Sequence, residues 1–239
     1  MTLRPGLTLA VDPRARDGFE HFCFRSLEMA RELDAFLAER GSRLRLLDVG
    51  ALHGLFALAF IHGRPQARAL AIDPSPVAIE VLESNLRLNP GCRIEPLPVA
   101  VGSRPGVLRM QPCWHHLEAV PEGATSEGAV EVPLTTIDCL CGERGFAPDL
   151  VKIDVEGYEL EVLKGARETL SRCRPLLFLE LHPDRLAALG SSTVEVVELL
   201  GRLGYDLLQV AGGSIAAKQL AAEERAVRLT ARPRLRAGE

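Results

Sequence analysis

Several patterns that would assign this chain to a familiar class are missing from its sequence. Its 28 lysines and arginines are outnumbered by 32 aspartates and glutamates, so no overall basic field attracts nucleic acid. The most apolar stretch, residues 46–61, is interrupted by Asp48 and His53 and falls short of a membrane span. We therefore predict a protein that binds no nucleic acid and has no membrane-spanning helix.

Metal-binding and secretion patterns are also scarce. The six cysteines form no Cys-x-x-Cys pair, and Cys139 and Cys141 have no second pair with which to complete a zinc site. Residues 1–18 contain no apolar segment of the kind that a secretory signal needs. The sequence thus predicts reduced thiols, no bound metal and a cytoplasmic location.

Three catalytic motifs are absent as well. The chain has neither a Gly-x-Ser-x-Gly sequence nor a P-loop, which removes the basis for an esterase or an NTPase. It also has no Gly-x-Gly-x-x-Gly, the loop that holds a dinucleotide pyrophosphate. A nicotinamide-dependent oxidoreductase is therefore disfavoured, although it stays open as an alternative function.

What the sequence does contain is a regular alternation of strand-like and helical patterns. This alternation predicts an α/β fold with a mostly parallel sheet covered by helices on both faces. The predicted strands are residues 45–49, 69–72, 97–101, 107–110, 130–134, 149–154, 176–181, 205–210 and 226–230. The predicted helices are residues 19–40, 55–61, 77–88, 158–170 and 194–203. Five arginines from Arg225 onward predict a solvated C-terminal tail.

Polar residues stand where four of the predicted strands end. They are Asp48, Asp73, Asp154 and His182. In parallel sheets, ligands bind beyond the carboxyl ends of the strands, so these residues predict a cleft at one edge of the sheet.

The first two of these strand ends indicate the kind of ligand. Gly50 and Gly54 follow the first strand, where glycine lets the backbone approach a ligand closely, although such a spacing also occurs in structural turns. Asp73 follows the second strand, where a carboxylate accepts hydrogen bonds from a ribose diol or caps the next helix. Together the residues favour an adenosine-containing ligand without a pyrophosphate, such as S-adenosylmethionine.

A third group of charged residues surrounds the strand at 149–154. Its period of two places Lys152 and Asp154 on the same face. A buried lysine needs a partner, and Glu180 on the following strand is the nearest one. For Lys152 and Glu180, a structural ion pair and a catalytic role are equally open, whereas Asp154 lies closest to the predicted cleft.

The chain resembles FkbM-type methyltransferases in a series of motifs. These are Asp-Val-Gly-Ala at 48–51, Ala-Ile-Asp-Pro at 71–74, Pro-Val-Ala-Val-Gly at 98–102 and, most specific, 134–138, 148–166 (PDLVKIDVEGYELEVLKGA) and 177–181. The resemblance covers about residues 45–183. It implies a single Rossmann-like methyltransferase domain with a seven-stranded sheet, S-adenosylmethionine as the donor, and a hydroxyl acceptor on a small molecule or glycan.

The resemblance also implies how the chain is divided. We expect an N-terminal helical extension at 1–44, the S-adenosylmethionine-dependent methyltransferase domain at 45–230 and a C-terminal tail at 231–239. Nothing in the sequence sets the oligomeric state, and a homo-oligomer is allowed.

Carried over residue by residue, the resemblance gives a set of cofactor contacts. They are Asp48, Gly50, Ala51, Gly54, Asp73, Pro74, Ala100 and Asp154. The loop around Gly50 would hold the methionine part of the cofactor, Asp73 the ribose and Ala100 the adenine edge. The family has Gly-Ala-Asn-x-Gly where this chain has Leu52 in place of the asparagine, so a non-catalytic binding module stays open as a second alternative.

Catalysis of methyl transfer to oxygen needs alignment and a proton acceptor. We expect Asp154, Lys152 and His182 to be the catalytic residues. The candidate general bases are Asp154, His182 and the pair His115-His116, because a carboxylate or an imidazole accepts a proton near neutral pH. The long segment 111–129, which carries Trp114, is predicted to cover the acceptor site as a lid.

Overall fold

The computed structural model describes residues 1–113, 116–121, 123–210 and 225–235. Their strands are β1 Thr2–Arg4, β2 Leu7–Thr8, β3 Arg45–Val49, β4 Arg68–Ile72, β5 Ile94–Leu97, β6 Ala100–Val101, β7 Gly106–Cys113, β8 His116–Ala119, β9 Val130–Thr135, β10 Leu150–Ile153, β11 Leu176–Leu181, β12 Tyr205–Gln209 and β13 Val227–Pro233. Their helices are α1 Pro13–Glu20, α2 Leu27–Arg40, α3 Leu55–Ile61, α4 Pro76–Leu88, α5 Ile137–Arg144, α6 Glu159–Lys164, α7 Arg167–Cys173, α8 Pro183–Ala188 and α9 Thr193–Arg202, with a π-helical turn at His21–Arg25.

The main sheet has seven strands in the order β12-β13-β11-β10-β3-β4-β5. Neighbours from β11 to β5 pair in parallel, whereas β13 lies antiparallel to both β11 and β12. The sheet is therefore mixed, and the prediction of a mostly parallel sheet is corrected at the β13 edge. The physical reason is that β13 pairs antiparallel with both of its neighbours, and an antiparallel pair needs no crossover helix.

The core lies on both faces of this sheet because alternate residues of a strand point to opposite sides. On one face, Leu46 and Phe178 pack with α2 and α3, and the Phe36 ring meets the Phe178 ring edge-on at 5.4 Å. On the other face, Leu47 and Leu177 pack with α6, α7 and α9. The predicted helix at 55–61 has the predicted bounds and is buried along its whole length.

A second sheet of four strands, in the order β6-β9-β7-β8, stands beside the main one. The predicted strand 97–101 is divided between the two sheets, since β5 ends at Leu97 and Ala100 pairs with Leu134 of β9. Segment 111–129, in which no strand is predicted, is partly β-structure, because β7 extends to Cys113 and pairs antiparallel with β8. Trp114 and His115, on which the lid prediction rests, lie outside the described residues.

Two predicted helices are interrupted. The first begins earlier, at Pro13, passes through the π-helical turn and restarts at Leu27, where the Ser26 hydroxyl accepts the N–H of Met29. It ends at Gly41 as predicted.

The predicted helix 158–170 is divided into α6 and α7 at Gly165. A Cβ on Gly165 would lie 2.0 Å from the carbonyl oxygen of Gly102, so the helix meets another backbone at this point. The Asp138 carboxylate then accepts the N–H groups of Glu168 and Thr169 at the start of α7. A side chain distant in sequence therefore supplies the cap of the second helix.

The helices and the last described strand test two further predictions. None of the helices within the described ranges is long and apolar enough to cross a membrane. Strand β13 continues to Pro233, and only 9% of the Arg228 side chain is exposed, so the prediction of a solvated tail from Arg225 onward is wrong for this residue.

Candidate active site

A cleft opens at the carboxyl ends of β3, β4 and β10, and the second sheet forms its opposite wall. Its apolar lining comes from Leu52, Ile72, Val99, Leu108, Met110 and Leu117. Its polar lining comes from Asp73, His116, Asp154, Glu156 and Tyr158. Two of the four polar strand-end residues selected from the sequence, Asp73 and Asp154, thus border a single cavity, because parallel strands end at the same edge of the sheet.

The turn after β3 is built around Gly50, which lines the cleft. Gly50 has a φ of +80°, and a Cβ at this position would lie 1.7 Å from the carbonyl oxygen of Asp154. The N–H groups of Gly50 and Ala51 both donate to the carbonyl of Ile72 at 2.9 Å. Only glycine allows β3, β4 and β10 to meet at this point.

Asp73 forms part of the cleft wall and also holds the turns around it. Its Oδ2 accepts the N–H of Leu52 at 2.9 Å, and its Oδ1 accepts the N–H of Ser75 at 2.9 Å. Burial raises the pKa of Asp73 to about 6 despite these hydrogen bonds. The Ser75 contact supports the capping role considered from the sequence, and the position in the cleft leaves the ribose role open.

Three of the predicted cofactor contacts do not line the cleft. Asp48 is buried behind it, where its Oδ2 accepts the N–H of Ala57, and burial raises the pKa of Asp48 to about 7. A Cβ on Gly54 would lie 2.4 Å from Leu82 Cδ1, so this glycine serves the packing of α4. Ala51 is buried in the same hydrophobic cluster as Leu82.

Lys152 lies below the cleft rather than in it. Its side chain is 1% exposed, and Nζ lies 3.2 Å from both Asp154 Oδ2 and Glu32 Oε1. The prediction of Glu180 as the nearest partner is corrected, because α2 brings Glu32 closer. Burial alone would lower the pKa of Lys152, but the attraction of Asp154 and the other carboxylates outweighs it and raises the pKa.

Glu180 is instead paired across β11 and β13 with Arg228. The two residues are register partners, and the guanidinium Nη2 lies 2.5 Å from Glu180 Oε1. Arg228 Nε also donates to Glu32 Oε2 at 3.0 Å. Burial and the nearby charge of Asp154 raise the pKa of Glu180 to about 8. Glu32 therefore contacts both Lys152 and Arg228.

His182 lies behind the cleft, among carboxylates. Its Nδ1 lies 2.8 Å from Glu159 Oε1, and its Nε2 lies 3.0 Å from Glu156 Oε2 and 3.9 Å from Asp154 Oδ1. Burial alone would lower the pKa of His182, but the hydrogen bond that it donates to Glu159 and the charges of Asp154 and Glu156 raise the pKa to about 9. At this pKa the ring of His182 carries a proton on both nitrogens at neutral pH and donates to these carboxylates. Its role as a general base stays a prediction.

The comparisons with known proteins agree with this arrangement. The family model of the methyltransferase FkbM domain matches residues 48–207, which include the cleft. The chain belongs to the FkbM methyltransferase family. The resemblance noted in the sequence is thereby confirmed, and the α/β fold with a mixed seven-stranded sheet is a methyltransferase-like fold.

Individual relatives of this FkbM family member are more distant. It is 27% identical over 192 residues to the 2-O-methyltransferase NoeI of Sinorhizobium fredii, covering 72% of this chain and 77% of NoeI. It is 32% identical over 139 residues to the hexuronic acid methyltransferase AglP of Haloferax volcanii, covering 57% of this chain and 55% of AglP. The crystal structure of methyltransferase FkbM from Methylobacillus flagellatus KT superposes with a TM-score of 0.52 at 20% identity, covering 82% of this chain and 47% of that chain, which shows the shared fold.

The FkbM cleft and the ion pairs behind it contain residues that are not among the predicted site residues. Glu156 lies in the cleft lining close to Asp154 and belongs to the 148–166 motif, but it is not among the site residues predicted from the sequence. Glu159 could have been noticed as an acidic residue three positions after Glu156, but its contact with His182 joins residues 23 positions apart. Arg228 and Glu32 were missed because they are distant in sequence from the motifs they support.

Three predicted residues come close enough to share a cation in principle. One ligand atom each from Asp154, Glu180 and His182 lies within 4.8 Å of the others. Lys152 and Arg228 already contact the two carboxylates, and these cations fill the electrostatic role that a metal would have. The sequence-based expectation that no metal is bound stays a prediction.

Proposed function

We propose that this protein transfers a methyl group from S-adenosylmethionine to a hydroxyl oxygen. The observation that carries the proposal is the shared cleft, in which Asp73, Gly50 and Asp154 meet at the carboxyl ends of three parallel strands. When bound, S-adenosylmethionine supplies an electrophilic methyl group on a sulfonium. The family membership of the chain supports methyl transfer as the reaction.

The residues present fit this cofactor. Asp73 keeps carboxylate lone pairs beyond its two backbone hydrogen bonds, and these can accept from a ribose diol. Pro74, Val99 and Ala100 border the cleft beside Asp73 and offer an apolar surface for adenine. The turn at Gly50 borders the cleft beside Asp154, where the methionine part would lie.

Asp154 is the group that would face the sulfonium. It lies in the cleft lining, and its contact with Lys152 keeps it ionised. Burial by itself would raise the pKa of Asp154, but the charges of Lys152 and His182 outweigh it and lower the pKa. A fixed negative charge in a partly dry cleft holds a cation in place before reaction and needs no reorganisation.

The substrate class is supported by the names of two relatives. NoeI is named as a 2-O-methyltransferase, which points to an oxygen acceptor, and AglP as a methyltransferase of hexuronic acid, which points to a sugar acid. By extension we propose a hydroxylated small molecule or glycan as the acceptor. A cytoplasmic location, the absence of nucleic-acid partners, a homo-oligomeric state and the division at residues 44 and 230 stay predictions.

Calorimetry followed by a transfer assay tests the function. S-adenosylhomocysteine is expected to bind the wild-type protein, whereas NAD is expected not to bind. Radiolabelled S-adenosylmethionine is then supplied with a panel of sugars, uronic acids and phenols. Binding of NAD alone would favour the oxidoreductase alternative, and binding of S-adenosylhomocysteine without turnover on any acceptor would favour the non-catalytic module.

A further inference from the structure

Two carboxylates two positions apart in the chain, Asp154 and Glu156, line the same cleft but have different neighbours. Asp154 contacts Lys152, a fully buried and permanent cation. Glu156 contacts His182 and Arg185, and its side chain is 26% exposed. Carboxylates in such contrasting surroundings can perform different tasks in one reaction.

The backbone places the Glu156 side chain in an unusual way. Glu156 has a φ of +55°, a left-handed conformation that residues other than glycine and asparagine rarely adopt. Gly157 follows with a φ of +100°, and a Cβ there would lie 2.6 Å from Arg185 Cβ. The turn between β10 and α6 is thus compressed against α8. Strained backbone of this kind is found most often at functional positions, which motivates a functional hypothesis for Glu156.

Behind Glu156 lies a chain of hydrogen bonds. His182 Nε2 lies 3.0 Å from Glu156 Oε2, and His182 Nδ1 lies 2.8 Å from Glu159 Oε1. Glu159 is fully buried, and its Oε1 also accepts the N–H of Gly157 at 2.9 Å. Glu159 therefore fixes the orientation of the imidazole ring that faces Glu156.

The charges around Glu156 come from four directions. Asp154 precedes it on the same turn, His182 and Arg185 come from the end of β11 and from α8, and His116 of β8 lies 3.9 Å away across the cleft. Burial and the repulsion of Asp154 raise the pKa of Glu156, although His182, Arg185 and His116 act in the opposite sense. The pKa therefore moves toward the neutral range in which a general base is effective.

We propose that Glu156 is the general base that takes the proton from the acceptor hydroxyl, while Asp154 stays ionised. The inference rests on the function proposed above and adds the residue that performs the proton transfer. Glu159 acts through His182 and is a positioning residue.

The proposed step transfers a methyl group to oxygen and a proton to Glu156. The acceptor oxygen forms a bond to the methyl carbon, and the carbon–sulfur electron pair stays on sulfur. The hydroxyl proton passes to a carboxylate oxygen of Glu156, which becomes a neutral acid. Because a quarter of this side chain is exposed, the proton can leave to solvent before the next turnover.

Glu118 provides a matched control. It also contacts Arg185 and His116, at 2.8 and 3.2 Å, but it is absent from the residues that line the cleft. In the variant Glu156→Gln, kcat on an aliphatic alcohol acceptor should fall by about 100-fold or more, with little change in the affinity for S-adenosylhomocysteine. In Glu118→Gln, kcat should stay close to that of the wild type.

Two additional measurements separate a base from a structural group. A phenolic acceptor ionises more readily, so the loss of kcat in Glu156→Gln should be smaller with a phenol than with an alcohol. The acidic limb of the wild-type profile of kcat against pH should be absent in Glu156→Gln. Equal losses in Glu118→Gln and Glu156→Gln, or a larger loss in His116→Gln than in Glu156→Gln, would overturn the proposal.

A readout that does not depend on turnover is NMR titration of the carboxyl carbons. The signal assigned to Glu156 by comparison with Glu156→Gln should titrate above the usual range of glutamate, and His182→Gln should change its midpoint. A Glu156 that titrates at an ordinary value, with no response to His182→Gln, contradicts the proposal even when no acceptor is turned over. Failure of the proposed function would instead appear as absence of methyl transfer by the wild type.

Discussion

The N–H of Leu52 donates a hydrogen bond of 2.9 Å to the Oδ2 of Asp73, and this bond joins the turn after β3 to the end of β4. Leu52 adopts a φ of +46° in making it. The site where the family has asparagine is therefore a left-handed position, which asparagine tolerates much better than leucine does. Leu52 in place of the family's asparagine therefore strains the backbone and also changes the lining of the cleft.

Replacement of this leucine should relieve the strain. We expect Leu52→Asn to raise the free energy of unfolding by up to about 1 kcal/mol, because the left-handed conformation costs leucine roughly 1–2 kcal/mol and part of that gain is lost with the apolar side chain. Urea denaturation of the ligand-free protein measures the change. Leu88→Asn, at an exposed helical position, is the control and should give no gain. A destabilised Leu52→Asn would mean that packing in the cleft outweighs the backbone strain.

Asp73 should contribute to cofactor affinity. We expect Asp73→Asn to weaken the binding of S-adenosylhomocysteine about 10- to 100-fold at pH 8, because a charged hydrogen-bond acceptor is lost. Isothermal titration calorimetry measures the affinity. Asp138→Asn is a matched control, since Asp138 also accepts two backbone N–H groups but is absent from the cleft lining. Unchanged affinity in a folded Asp73→Asn protein would leave Asp73 with a capping role alone.

The same carboxylate should make cofactor binding depend on pH. The pKa of Asp73 is raised to about 6, and a ribose diol donates to the ionised form, so affinity should be full above this value and fall as the pH drops through it, by at most about tenfold per unit. The stability of the ligand-free protein should depend on pH in the opposite direction. Because the pKa of Asp73 is higher in the folded protein than in the unfolded chain, the free energy of unfolding should fall by about 3 kcal/mol as the pH rises from about 4 to 6. Both dependences should be reduced in Asp73→Asn, and a wild-type affinity that is flat between pH 5 and 7 would contradict the assignment.

Removal of the buried lysine should cost far more stability than removal of a surface lysine. Lys152→Met leaves Glu32 and Asp154 without their shared cation, and we expect a loss of about 3–5 kcal/mol in the free energy of unfolding. Lys164→Met breaks a partly exposed pair with Glu161 and should cost less than about 1 kcal/mol. Thermal and urea denaturation measure both. Recovery of part of the loss in the double variant Lys152→Met, Glu32→Gln would identify the unpaired carboxylate as its cause.

Gly50 should tolerate no side chain. In Gly50→Ala the added Cβ would overlap the Asp154 carbonyl oxygen, and we expect a loss of more than about 4 kcal/mol or no folded protein. Gly63→Ala is the matched control, because Gly63 also has a positive φ, +71°, but no atom lies within 4 Å of the added carbon. It should cost about 1 kcal/mol from backbone strain alone. Similar losses in the two variants, measured by circular dichroism during urea unfolding, would show that the close approach at Gly50 can relax.

The sequence by itself determined the elements that depend on local patterns. The strands at 45–49 and 176–181, the buried helix at 55–61 and the helix start at Ser75 were predictable because side-chain period, turn residues and capping are properties of neighbouring residues. The position of Asp73 and Asp154 in one cleft was also predictable, since parallel strands place their carboxyl ends together.

Only the tertiary structure decided which charges are paired and which face the cleft. The contact of Lys152 with Glu32 joins residues 120 positions apart, and that of Arg228 with Glu32 joins residues 196 apart. Asp154 and Glu156 are both acidic residues in the sequence, but their environments differ. Asp154 contacts Lys152 of β10, which is also paired with Glu32 of α2. Glu156 contacts Arg185 of α8. A pattern of neighbouring residues contains no information on such contacts, because desolvation and charge pairing depend on distances that exist only after the chain has folded.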